Sequence, residues 1–202
     1  MNTIKELDAT MTETATVTDF SISDMWAQLP RYTDEANKLG TSINSLYKAT
    51  TLYYQQGLQT NEAMALGIET IKMARVANMD AAQATDLMTA ALRGFNMELN
   101  ETSAIRINDV YSELAAVTAA DTDEIGIAIS KTASIAHSAN MEFETTAAFL
   151  SQIIETTREA PETAGTAMKT IVARFSEVKK LYSEGQITGT DEEGEVVNVN
   201  KI

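Results

Sequence analysis

Apolar residues recur along this chain at steps of three and four, and very little interrupts them. Ile22, Met25, Trp26, Leu29, Tyr32, Ala36 and Leu39 fall on one side of a helix opened near Ser21. Gly40 stands where a helix closes through a left-handed residue. The next stripe is Ile43, Leu46, Tyr47, Thr50, Tyr53 and Tyr54, ended by Gly57, and a third runs from Thr60 through Met64, Ile68 and Ile71 to Arg75. Only Pro30 and Pro161 break the pattern in 202 residues. Pro30 should kink or split its helix, whereas Pro161 sits where a first helical turn tolerates it.

Start signals punctuate the remainder. Asp80 with Gln83, and Asp121 with Glu124, have the spacing of a capping box, in which two orphan backbone donors are satisfied reciprocally. Asn100 caps the helix of Ile107, Val110, Tyr111, Leu114 and Val117, and two further stripes follow, at Phe143–Ile154 and Ala164–Tyr182. The expected fold class is therefore all-α, a bundle or irregular stack of about eight helices arranged as repeated helical hairpins.

Three divisions follow. Residues 1–20 read as a weakly structured or helical lead-in, because the threonines between Thr10 and Thr18 are β-branched and favour extended chain. Residues 21–184 form the helical core. In 185–202, Val196, Val197 and Val199 around the turn Asp191-Glu192-Glu193-Gly194 support a short β-hairpin, and Asn200-Lys201-Ile202 reads as the truncated start of a next element. Ala77-Asn78-Met79 returns as Ala139-Asn140-Met141, 62 residues later. Helix–turn–helix units are thus expected near 41–77, 80–120 and 142–182, with 122–139 joining the last two. Their spacing is irregular, which argues against a strict solenoid.

Composition narrows the function. The formal charge is −14, from 29 acidic and 15 basic residues, and the densest basic pair is Lys179-Lys180. Gripping a nucleic-acid backbone or an anionic membrane needs clustered Lys and Arg, so neither is expected. There is no cysteine, and no apolar run approaches the ~20 residues of a membrane span. His137 is the single histidine and has no nucleophile-elbow partner, so it reads as a surface or turn-packing residue. One histidine without cysteine leaves zinc only carboxylate ligands. Asp121, Asp123, Glu124, Glu142 and Glu144 sit in first helical turns, where they offset the helix dipole. The Asp191–Glu195 loop lacks an EF-hand ligand pattern, and no glycine-rich phosphate loop is present. Asn100-Glu101-Thr102 matches a glycosylation sequon that is idle without secretion. The ten methionines read as core filling. No catalytic, cofactor-binding or metal-binding residue is expected, and no enzyme activity.

Several runs carry a family resemblance. Residues 164–175, Ala-Gly-Thr-Ala-Met-Lys-Thr-Ile-Val-Ala-Arg-Phe, resemble a signature in the core of phage tail tape measure proteins. Residues 47–57, 131–136 and 143–150 are similar to the same family and occur in its order. The resemblance covers roughly residues 20–202 and implies a structural virion protein segment without catalysis. It implies roles in tail assembly, tail-length determination and genome ejection. It also implies partners in the tail tube protein, tail assembly chaperones and tail-tip or baseplate proteins, together with self-association. The implied location is the tail tube lumen or tip, after assembly in the host cytoplasm. From the residues alone, a helical adaptor or chaperone-type binding module remains the alternative.

Overall fold

The computed structural model describes residues 2–184, 188–190 and 196–198. Nine helices lie among them: α1 (Asn2–Val17), α2 (Ile22–Leu39), α3 (Ile43–Gln55), α4 (Thr60–Val76), α5 (Ala81–Gly94), α6 (Glu101–Val117), α7 (Thr122–Ser138), α8 (Phe143–Thr157) and α9 (Pro161–Ser183). The chain is all-α in class. Two three-residue strands, β1 (Thr188–Thr190) and β2 (Val196–Asn198), pair antiparallel with Thr190 opposite Val196. Residues 191–195, where a turn is expected, and 199–202 lie outside the described residues.

The threonine-rich lead-in is a helix, contrary to its β-branched bias. Thr12, Thr14, Thr16 and Thr18 each donate a hydroxyl hydrogen bond to the carbonyl four residues earlier, at 2.7–2.8 Å. The polar side chains thereby find partners without leaving helical backbone. Thr14 is buried against the Thr51 hydroxyl at 2.6 Å, and Thr10 donates to Asn44 at 2.5 Å, so α1 is tied to α3. Tertiary contact outweighs propensity here. Likewise α2 is not split, and runs continuously from Ile22 to Leu39 through Pro30.

The repeating unit is a hairpin one helix out of phase with the sequence expectation. It comprises α2–α3, α4–α5 and α7–α8. Their first helices follow Ser21, Gln59 and Asp121, whose backbone N–H groups donate to the carboxylates of Asp24, Glu62 and Glu124 at 2.9, 3.1 and 2.9 Å. At the far end stand Gly40, Asn78 and Asn140, with φ of 61°, 50° and 59°. The next residues, Thr41, Met79 and Met141, donate to the carbonyls of Ala36, Ala74 and Ala136 at 2.9, 2.9 and 3.0 Å. That is the six-to-one bond of a Schellman ending. Every member of these sets is displaced by 38 and then 62 residues. At Asp80 only half of the expected box forms, the carboxylate accepting from Gln83 N–H at 2.9 Å.

Single helices α1, α6 and α9 flank the hairpins. Each helix packs mainly on its neighbour and its next-but-one neighbour, as in α3 on α5, α5 on α7 and α7 on α9. The arrangement is a stack. Two close approaches set its spacing: a Cβ on Gly94 would collide with Ala133, and one on Gly165 with the Ala128 carbonyl. One apolar core joins α1–α4 around Met11, Met25, Tyr32, Leu46, Tyr47 and Met64, and a larger one runs from α3 to α9.

Two stability tests follow. Asn140→Val should cost about 1–2 kcal/mol in urea unfolding, since a β-branched residue is strained at positive φ. Asn140→Gly should cost nothing or stabilise slightly. Tyr111 is fully buried, and its hydroxyl has no partner among the described residues, whereas the Tyr32 hydroxyl contacts Thr50 at 2.8 Å and Tyr54 at 3.1 Å. Tyr111→Phe should therefore be neutral or stabilising and Tyr32→Phe should lose about 1 kcal/mol in the same assay.

Candidate interaction surface

Of the polar residues singled out in the sequence, His137 and Glu142 line one small cleft together with Arg106, and Asp121 and Glu124 meet at the start of α7. His137 is exposed at the end of α7, its ring edge-on to Phe95 at 6.4 Å between centroids. Asp121 and Glu124 are occupied with capping α7. Glu142 precedes α8, and Glu144 accepts from Arg106 Nε at 2.5 Å and Nη2 at 2.8 Å. This bidentate bond holds the Glu144 carboxyl below its ordinary range and links α6 to α8. Among the described residues, no three His, Cys, Asp or Glu side chains group as metal ligands. Nor is any helix there long and apolar enough to cross a membrane.

Two polar clusters escaped the sequence reading. Glu69 is 3% exposed within α4 and receives Lys72 Nζ at 2.5 Å and Asn108 Nδ2 at 3.1 Å. Asn108 also donates to the Glu69 carbonyl at 3.0 Å, so the buried charge is compensated and α6 is fixed on α4. Glu69 lies on the buried side between Leu66 and Met73, a polar residue in an apolar register, and that mismatch was the available signal. The second cluster is aromatic. Tyr32 and Tyr47 stack with centroids 3.7 Å apart and 4° between planes, and Tyr47 donates to the Met25 carbonyl at 2.8 Å. Burial pushes the Tyr32, Tyr47 and Tyr111 hydroxyls well above their ordinary range and raises Tyr53 to about 12.

What the surface does offer is apolar. On α9, Ile171, Phe175 and Val178 fall on one stripe and are 52%, 71% and 52% exposed. A cleft of about 590 Å³ runs beside it, bounded by Ala139, Met141, Val172, Phe175, Lys179 and Lys180. The helix carries four basic and two acidic residues in a chain of net charge −14. On α8, Phe149 is 55% exposed. Adjacent apolar side chains rimmed by charge mark a surface for another polypeptide.

Stacked hairpins with an apolar, charge-rimmed end define the class of the chain as a helical repeat protein. The family follows from comparison with known proteins: a model described as "Phage-related minor tail protein" matches residues 33–202, and the chain belongs to that family. It is 30% identical over 124 residues to the tape measure protein of Pneumococcus phage Dp-1. That match covers 61% of this chain and 10% of the relative, so the chain spans a small part of that protein's length. No solved structure matches. Membership gives the chain a structural role in a phage tail.

The buried tyrosines predict the alkaline limit of the fold. Their folded pKa values lie above the unfolded value near 10, so their contribution is complete below pH 10 and is lost as pH rises through the folded values. Unfolding free energy should fall above pH 10 by about 1.4 kcal/mol per pH unit per titrating tyrosine. Circular dichroism melts between pH 8 and 12 measure the slope.

Proposed function

We propose that this segment is a folded core unit of a tape-measure-type protein, contributing to tail assembly, tail-length determination and genome ejection without catalysing a reaction. The observation that carries this is the family match over residues 33–202, reinforced by identity to a curated tape measure protein. The helical unit 21–184 takes this role, with 1–20 as a lead-in and 185–202 as a separate terminal piece. Its expected partners are the tail tube protein, tail assembly chaperones and tail-tip or baseplate proteins, and it is expected to self-associate. We place it in the tube lumen or at the tip after assembly in host cytoplasm.

The acidic balance supports this placement, because a protein sharing a channel with DNA should not bind phosphates. Size adds a constraint. A compact chain of this length has a radius of gyration of about 16–17 Å, so its diameter exceeds that of duplex DNA. The compact stack therefore belongs at a wide end or outside the tube, and the segment threads the narrow part extended.

The test is genetic. An in-frame deletion of one 38-residue hairpin step (59–96, α4–α5) from the full gene should shorten tails by about 57 Å if that stretch spans the tube as helix. Negative-stain electron microscopy measures this, and tails of unchanged length would remove the length-setting role. The α9 cleft is the observation favouring an adaptor or chaperone-type module instead. Size-exclusion chromatography with light scattering separates the two: the adaptor is a monomer, whereas the tape measure reading predicts self-association.

A further inference from the structure

The hairpin repeat places equivalent residues in equivalent seats, and one seat is open. Ala49 on α3, Leu87 on α5 and Phe149 on α8 are related by the same steps of 38 and 62 residues. Ala49 is fully buried and Leu87 is 7% exposed, whereas Phe149 is 55% exposed. The first helix of the following hairpin covers Leu87, and Gly126 of α7 lies so close that an added Cβ would stand 3.0 Å from Leu87 Cδ1. Two turns further on, Gly94 of α5 meets Ala133 of α7. Its equivalent on α8 is Thr156, which is exposed. Both points at which α5 receives α7 are thus uncovered on α8.

We infer that the outer face of α8 around Phe149 and Thr156 is the seat for a further hairpin of this repeat, an acidic amphipathic helix pair whose first helix carries a glycine or alanine opposite Phe149. The in-chain precedent is α7–α8 on α5. Charge agrees: residues 119–158 hold six acidic and two basic residues, while α9, beside the seat, holds four basic and two acidic ones. The small residue is required because Phe149 is larger than Leu87, which already needs Gly126. This inference stands on the repeat geometry and is independent of the proposed role in tail assembly.

Because the chain lacks cysteine, Gln152→Cys introduces a single thiol on the exposed side of α8, between Phe149 and Thr156. Its labelling by a maleimide is followed in the full chain with and without a synthetic hairpin of residues 119–158. Labelling should slow at least tenfold at saturating hairpin. Phe149→Lys in the chain should abolish the protection, and so should Gly126→Leu in the hairpin. An isolated hairpin can stay unfolded, so the same segment is also joined to the C-terminus through a Gly/Ser linker, which raises its local concentration to the millimolar range. Absence of protection in the tethered form overturns the inference. Protection that survives Phe149→Lys overturns it as well. Protection that grows with chain concentration alone, without any hairpin, assigns the seat to a second copy and equally overturns it.

Discussion

Everything in this fold depends on where each helix is made to stop. A left-handed residue at Gly40, Asn78 or Asn140 turns the chain back, and the next N–H closes onto an alanine carbonyl five residues earlier. Two residues separate stop and next helix, and the second of them, Ser42, Asp80 or Glu142, occupies the N-cap position. The two helices of a hairpin are left antiparallel, with an apolar face that neither can hide alone. Burying that face requires the next hairpin, and the stack is the consequence. The same ending appears at Phe95-Asn96-Met97, where Asn96 has φ 53° and Met97 donates to the Leu92 carbonyl at 2.8 Å. There it releases α6 as a single helix, because Glu98 and Leu99 intervene before the Asn100 cap.

Much of this was legible in the sequence because the signals are local. Periods of three and four, cap residues and the recurrence of Ala-Asn-Met all report on backbone within a few residues of themselves. The 62-residue offset was visible for that reason, and it relates α4–α5 to α7–α8 in the structure. The hairpin frame was not visible. Gly40 and Asn78 do the same work with different letters, so the 38-residue step was hidden and helices were paired one place late. The sequence left the helical state of α1 open, because it rests on Thr10 and Thr14 meeting Asn44 and Thr51, more than thirty residues away. Glu69 belongs with these, since its acceptability inside the stack depends on Asn108.

Several of the polar residues singled out in the sequence have capping and packing partners among the described residues. Carboxylates in first turns cap helices, Glu144 joins α6 to α8 through Arg106, and the tyrosines fill cores. What separates α8 and α9 from their predecessors is apolar surface. The position buried as Ala49 and Leu87 in the first two hairpins is bare as Phe149 in the third, and α9 shows a stripe of Ile171, Phe175 and Val178 to solvent. A solenoid normally closes its ends with polar faces. The α1 end nearly meets that standard: Lys5, Glu6, Asp8 and Glu13 are exposed there, with Ile4 and Val17 as the apolar exceptions.

Nearest-neighbour packing also decides how such a protein changes shape. Stability in a stack is a sum of unit and interface terms, so the ends open first and each hairpin leaves at the cost of one interface. Among the described residues no helix leans substantially on one more than two places away, so peeling α9 and then α8 leaves the contacts among α1–α7 intact. A single globular core lacks that property, because removing one element exposes all the others. A stack thereby divides one large unfolding barrier into several small ones. The repeated stop at Gly40, Asn78 and Asn140 is what makes the divisions.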